Sequence, residues 1–118
     1  MLIRIDPESK TALFSQVAAA VRAEIASGRL GAGARLPAAK QIAESLGLNV
    51  HTVLHAYQRL RDEGLIELRR GRGAIVTGAA KAIAVLRSDI VDLVAEARDQ
   101  GLSPDALAAL VKEIAHES

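Results

Sequence analysis

Residues 33–57 read Gly33-Ala-Arg-Leu-Pro37-Ala-Ala-Lys40-Gln-Ile-Ala-Glu-Ser-Leu-Gly47-Leu-Asn49-Val-His-Thr-Val-Leu-His-Ala-Tyr57, and the chain continues into Gly64-Leu-Ile66 and Arg69-Arg-Gly-Arg-Gly73. Pro37 suits the opening of a helix, where a missing amide proton costs nothing. Ile42, Ala43 and Leu46 then share one face, and Gly47 breaks the direction. Asn49 is a good N-cap for a following helix to about Glu63, since its side-chain oxygen can accept an orphan amide. Val53, Tyr57 and Leu60 form the buried stripe of that helix, with Ala56 allowing close packing. Helix, short turn, helix is a helix-turn-helix.

Working outward, Gly64 closes this helix. Leu65–Leu68 and Ala74–Thr77 read as two strands of a hairpin whose tip is Arg69–Gly73, with glycines supplying positive backbone angles. Upstream, Leu2–Pro7 alternates apolar and polar residues, which predicts a short strand or an extended arm. Leu13, Phe14, Val17, Val21 and Ile25 recur at helical spacing over about Thr11–Ser27, and Gly28 ends that helix. A very short strand is expected at Ala34–Leu36, after a turn marked by Gly31 and Gly33. Downstream of Gly78, one helix runs from Ala79 to about Gln100, Gly101 stops it, and Ser103 caps a last helix beginning at Pro104. The expected fold is mostly α with a small β wing: a winged helix-turn-helix over residues 1–78 followed by a two-helix dimerisation tail over 79–118.

The formal net charge of +1 divides unevenly. Residues 1–78 hold 11 Lys/Arg against 7 Asp/Glu, a net +4, and residues 79–118 hold 4 against 7, a net −3. A polyanion should therefore meet the first part. With no cysteine there is neither a disulfide framework nor a thiolate metal site. The apolar runs fall far short of the ~20 residues of a membrane span, and the N-terminus lacks a signal pattern. These features imply a soluble, non-exported, cytoplasmic protein without a membrane partner.

A recognition helix points the side chains of its first turn at base edges, while phosphate contacts supply affinity and register. Here that turn is Asn49, Val50, His51 and Thr52, with His55 one turn on. His51 and Thr52 can hydrogen-bond; Val50 can touch only apolar groups such as a thymine methyl. Arg35 and Lys40 flank the preceding helix and can neutralise phosphates. Arg69, Arg70, Gly71 and Arg72 form a cationic wing tip suited to phosphate or a narrow minor groove. Read without its neighbours, that tip is equally an ordinary solvated hairpin; its place directly after a helix-turn-helix favours the DNA reading.

Residues 10–77 resemble the DNA-binding domain of GntR-type bacterial transcription regulators. The resemblance rests on Ala12-Leu-Phe-Ser-Gln-Val17, Gly33-Ala-Arg-Leu-Pro37, Thr52-Val53 with Ala56-Tyr57, Gly64-Leu-Ile66 and Gly71-Arg-Gly73. The Asn49–Tyr57 segment and the short tail are similar to the YtrA-like subgroup. That subgroup lacks a large effector domain, dimerises through its tail and is often linked to control of ABC-transporter genes. The resemblance implies DNA contact by Lys40, Val50, His51, Thr52, Arg70 and Gly71. Ala38 stands where the family commonly has serine, Lys40 where it usually has arginine, Val50 where the subgroup often has proline and other branches arginine, and Leu54 at a position often basic. Losing fork-shaped guanidinium groups there argues for an operator unlike the family's usual one.

In the tail, Ile83, Leu86, Ile90, Leu93 and Val94 on one helix and Leu107, Leu110, Val111 and Ile114 on the next form apolar stripes. A two-helix appendage of ~40 residues cannot enclose a core in isolation, so these residues are expected to form a homodimer interface. Two joined heads would grip an inverted repeat. His51 and His55 stand at i, i+4, a spacing two metal ligands can use, but no third ligand lies beside them and no metal or cofactor is expected. Tyr57 shares the core stripe, and with Phe14 as the other aromatic the chain lacks the interleaved rings of single-strand binders. No nucleophile elbow, phosphate-cradling loop or paired carboxylates suggest an enzyme. The expected function is a sequence-specific transcriptional regulator, a homodimeric repressor on double-stranded DNA. The alternative is a winged-helix protein-interaction module without DNA binding. A small-molecule effector stays open as a partner, since no residue cluster specifies one.

Overall fold

A computed structural model describes residues 3–117. Its elements are α1 (Leu13–Ala26), α2 (Ala39–Leu46), α3 (Val50–Asp62), β1 (Ile66–Arg69), β2 (Gly73–Val76), α4 (Ala79–Asp99) and α5 (Pro104–Glu117). The chain is thus mostly helical with one small antiparallel sheet. Two compact units divide it, one ending at Ala84 and the other beginning at Val85.

α3 is the centre of the first unit, packing against α1, α2 and β1. Val17, Val21 and Ile25 of α1, at i, i+4, i+8, are fully buried, as are Val53, Ala56 and Leu60 of α3. Ile42 and Ala43 of α2 and Ile66, Ala74 and Val76 of the wing complete the same core. Across the back, the Arg22 guanidinium forks onto the Glu63 carboxylate at 2.9 and 2.7 Å, tying α1 to the end of α3. Both partners are over a third exposed, so this tie fixes geometry more than stability.

The unit boundary lies beyond Gly78 because the start of α4 is part of the head. Ala80 is buried in the head core, and Ile83 packs against it. Ile83, which the sequence pattern assigns to a dimer interface, therefore spends much of its apolar surface on its own head. The continuous stripe of α4 conceals where the head ends.

Several termini follow local chemistry. Gly47 ends α2 at φ +68°, a left-handed angle that other residues adopt only with strain. The Asn49 carboxamide oxygen caps α3, accepting from the His51 amide at 2.8 Å. α2 behaves differently from its expectation. It begins at Ala39, two residues after Pro37, and its N-cap Ala38 makes no side-chain hydrogen bond. What places this entrance is remote in sequence: the Tyr57 hydroxyl donates to the Pro37 carbonyl at 2.7 Å. Serine at the N-cap would satisfy an orphan amide, so Ala38→Ser should raise stability by about 1 kcal/mol in urea unfolding. An unchanged midpoint would show that the entrance has no vacancy to fill.

The wing pairs Ile66 with Val76, Leu68 with Ala74 and Arg69 with Gly73. The third strand expected at Ala34–Leu36 is reduced to one bridge, Arg35 to Ile75. It is secured by the Leu36 amide on the Ala74 carbonyl and the Val76 amide on the Ala34 carbonyl, both at 2.8 Å. From Ile3 to Asp6 the chain is an extended arm without strand pairing, and Leu2 lies outside the described residues. A side chain takes the place of a strand partner. Gln16 accepts from the Asp6 amide at 2.8 Å and donates to the Asp6 and Thr11 carbonyls at 2.9 Å, while Ile3 is buried.

In the second unit, Gly101 at φ +83° turns the chain. Ser103 Oγ then accepts from the Ala106 amide at 3.1 Å, capping α5 as expected. Ala97 is the one buried side chain among this unit's described residues. α4 and α5 diverge from their turn, leaving a cleft of about 430 Å³ walled by Ile90, Leu93, Val94, Leu107 and Val111.

Candidate nucleic-acid interface

The entrance of α2, the middle of α3 and the wing meet at a groove of about 370 Å³. Pro37 and Ala38 form one wall, Leu54 and Tyr57 of α3 the floor, and Leu68 and Arg70 of the wing the opposite side. The Tyr57 ring is buried, and burial pushes its phenol up to about 12. Its hydroxyl thus stays protonated and holds the Pro37 carbonyl at any ordinary pH. As the stripe predicts, this ring is a core element.

Of the residues singled out in the sequence, Arg35, Lys40, Asn49, His51, His55, Arg69, Arg70, Gly71 and Arg72 are exposed, and Val50 and Thr52 are half-buried. Their circumstances differ. The Asn49 oxygen is committed to its cap, leaving the carboxamide NH2 to face outward. Val50 packs partly against the core. The His51 amide goes to Asn49 Oδ1 and the Thr52 amide to the Asn49 carbonyl at 3.0 Å, so the entrance of α3 has little left to offer a phosphate. α2, by contrast, has open amides: beneath the uncapped Ala38, those of Ala39 and Lys40 have no bond among the described residues. Such an end favours an anion, and Lys40 is exposed in the same first turn.

His55 is turned toward α1. Its ring stacks on Phe14 with centroids 3.8 Å apart and planes 15° apart. The Arg59 guanidinium carbon lies 5.1 Å from the centre of the same Phe14 ring, a cation–π distance. Sequence spacing puts His55 one turn beyond His51, yet it cannot reveal that a phenylalanine from another helix takes up one ring face. Among the described residues, no group of three or more His, Cys, Asp or Glu is placed to hold a metal ion.

At the wing tip the Arg72 amide donates to the Arg69 carbonyl at 3.0 Å, and Gly71 occupies the turn position that needs positive φ, at +81°. The three arginines are not equivalent. Arg69 reaches back to the Glu67 carboxylate at 2.7 Å, whereas Arg70 and Arg72 have no partner among the described residues. Arg35 joins them from the third strand position. A Cβ built on Gly73 would lie 3.7 Å from the Arg35 Nε, so this guanidinium lies along the wing. Leu54 and Leu68, which the polar pattern of a DNA surface would not select, are 38% and 40% exposed in the groove. Strand alternation gives a signal for Leu68: it shares a face with buried Ile66 but extends past the core.

The family of bacterial regulatory proteins called gntR matches residues 13–76, from the start of α1 to the end of β2. The chain belongs to this family. The GntR-family match has full-length relatives as well. The transcriptional repressor YtrA of Bacillus subtilis is 30% identical over 96% of this chain and 92% of its own. The solved YtrA of Sulfolobus acidocaldarius, a GntR-family transcription factor, superposes with a TM-score of 0.63 at 34% identity, covering 84% of this chain and 99% of that one. The DNA-binding domain of AraR in complex with its operator shares the fold alone, at 18% identity and a TM-score of 0.57 over 65% of this chain. This GntR-family chain is a DNA-binding transcription regulator and not an enzyme. No helix among its described residues is long and apolar enough to cross a membrane.

Proposed function

We propose that this GntR-family chain is a cytoplasmic, homodimeric repressor. In this reading the tails join two copies, and each head places α3 in the major groove of one half of an inverted repeat. What carries the proposal is the tail beyond Ala84, where two helices with apolar stripes bury a single side chain, Ala97, among the described residues. A second copy would cover the stripes formed by Leu86, Ile90, Leu93, Val94, Leu107, Leu110, Val111 and Ile114. In each head, Asn49, Val50, His51, Thr52 and His55 present the recognition helix. Lys40 with the open α2 amides, and Arg35, Arg69, Arg70, Gly71 and Arg72 of the wing, hold the backbone. The name of the Bacillus relative supports repression, and the YtrA-like resemblance points to transporter genes among the targets.

Selection from a random duplex library should recover an inverted repeat whose half-sites lie about one or more helical turns apart. On that duplex, Arg70→Ala with Arg72→Ala removes four guanidinium groups from the dimer, so it should weaken binding to all sequences and lower the slope of log affinity against log salt by about four. Recovery of no preferred duplex would overturn the sequence-specific, inverted-repeat reading. Unchanged salt curves would remove the wing from the interface.

A further inference from the structure

Leu54 lies in the middle of α3, on the helix proposed to enter the major groove, yet it is 38% exposed and does not pack on the head core. Around it the surface is apolar: Pro37, Ala38, Tyr57 and Leu68 line the same groove. The rim is different in kind. Arg70 stands at the wing side without a partner among the described residues, and Ala39, whose amide is open, stands at the α2 side. An apolar floor between two anion-seeking rims matches a strip of duplex in which phosphates flank an apolar base edge. The one apolar group that the major-groove edge of DNA displays is the 5-methyl of thymine.

We infer that Leu54 is a specificity-determining residue that reads a thymine methyl, with Leu68 lining the same apolar groove. This rests on the proposed placement of α3 in the major groove. The contact is closed to guanine and cytosine edges, whose polar groups would be desolvated against leucine without a partner. It also explains why the absence of a basic side chain at 54 is compatible with DNA binding: affinity comes from the rims, and the floor supplies discrimination.

The test uses the full-length protein and the duplex recovered by library selection, with each thymine of the footprint replaced in turn by deoxyuridine. That replacement deletes one methyl and leaves every hydrogen-bonding group in place. Wild-type binding should fall about fourfold at one thymine per half-site, the factor expected for one buried methyl-sized group. Leu54→Ala should bind the thymine and deoxyuridine duplexes equally. Leu54→Arg should shift the selected base at that position toward guanine, the partner of a guanidinium fork. Leu54 is outside the core, so both variants should keep the wild-type unfolding midpoint within about 1 kcal/mol. Indifference of the wild type to every deoxyuridine would overturn the inference. Equal sensitivity of wild type and Leu54→Ala would overturn it too, assigning the methyl to another residue such as Val50. If the wild type selects no duplex, the placement of α3 itself fails and the inference falls with it.

Discussion

Ile90→Glu combined with Leu110→Glu should leave the protein monomeric at micromolar concentration and lower its affinity for an inverted-repeat duplex by about 10²- to 10⁴-fold. Both side chains are about half exposed in the protomer, at 52% and 45%, so the substitutions need not disturb the fold of either unit. In a symmetric interface each change occurs twice, so four carboxylates would have to be desolvated without partners. That penalty is several kcal/mol per buried ion, and here it falls four times on one interface. The loss on DNA follows from geometry. Joined heads bind the second half-site as an intramolecular event, and separated heads forfeit that effective concentration. Sedimentation velocity and fluorescence anisotropy measure the two effects independently. A variant that stays dimeric would place the interface elsewhere, and a variant that is monomeric but binds undiminished would show that each head works alone.

The elements of this fold that are legible in the sequence are those whose cause is local. Gly47 and Gly101 mark helix ends because each adopts a left-handed angle that the neighbouring backbone requires. Asn49 marks the start of α3 because its own side chain reaches an amide two residues on. The features that escape pattern reading depend on residues far apart in the chain. Pro37 precedes α2 by two residues where pattern suggested the first helical position, and the bond that settles its carbonyl comes from Tyr57. Arg35 belongs to the wing because its backbone bridges Ile75. His55 faces Phe14, and Ile83 belongs with the head core, for the same kind of reason. The Arg69–Glu67 pair is a separate case. Residues two apart on a strand share a face, so its partial neutralisation of the wing could have been anticipated from Glu67 alone.

This division between local and distant causes makes α3 the most sensitive part of the molecule, since one helix carries the core stripe on one side and the reading face on the other. Leu60 is fully buried, at 0% exposure, where α1, α3 and the wing share a core. Leu60→Ala should therefore cost about 2–5 kcal/mol, through lost burial plus the cavity left in a close-packed interior. For a unit of this length each kcal/mol corresponds to roughly 4–8 °C, so the thermal midpoint should drop by at least ~8 °C. Leu54→Ala, at an exposed position of the same helix, should leave it almost unmoved. Because DNA binds the folded head and not the unfolded chain, a preferred duplex at a hundred times its Kd should restore about 2.7 kcal/mol to Leu60→Ala. Calorimetry with and without duplex measures that recovery. A small loss for Leu60→Ala would show that the core collapses around the cavity, and a large loss without recovery on DNA would show that α3 no longer forms the surface that grips the duplex.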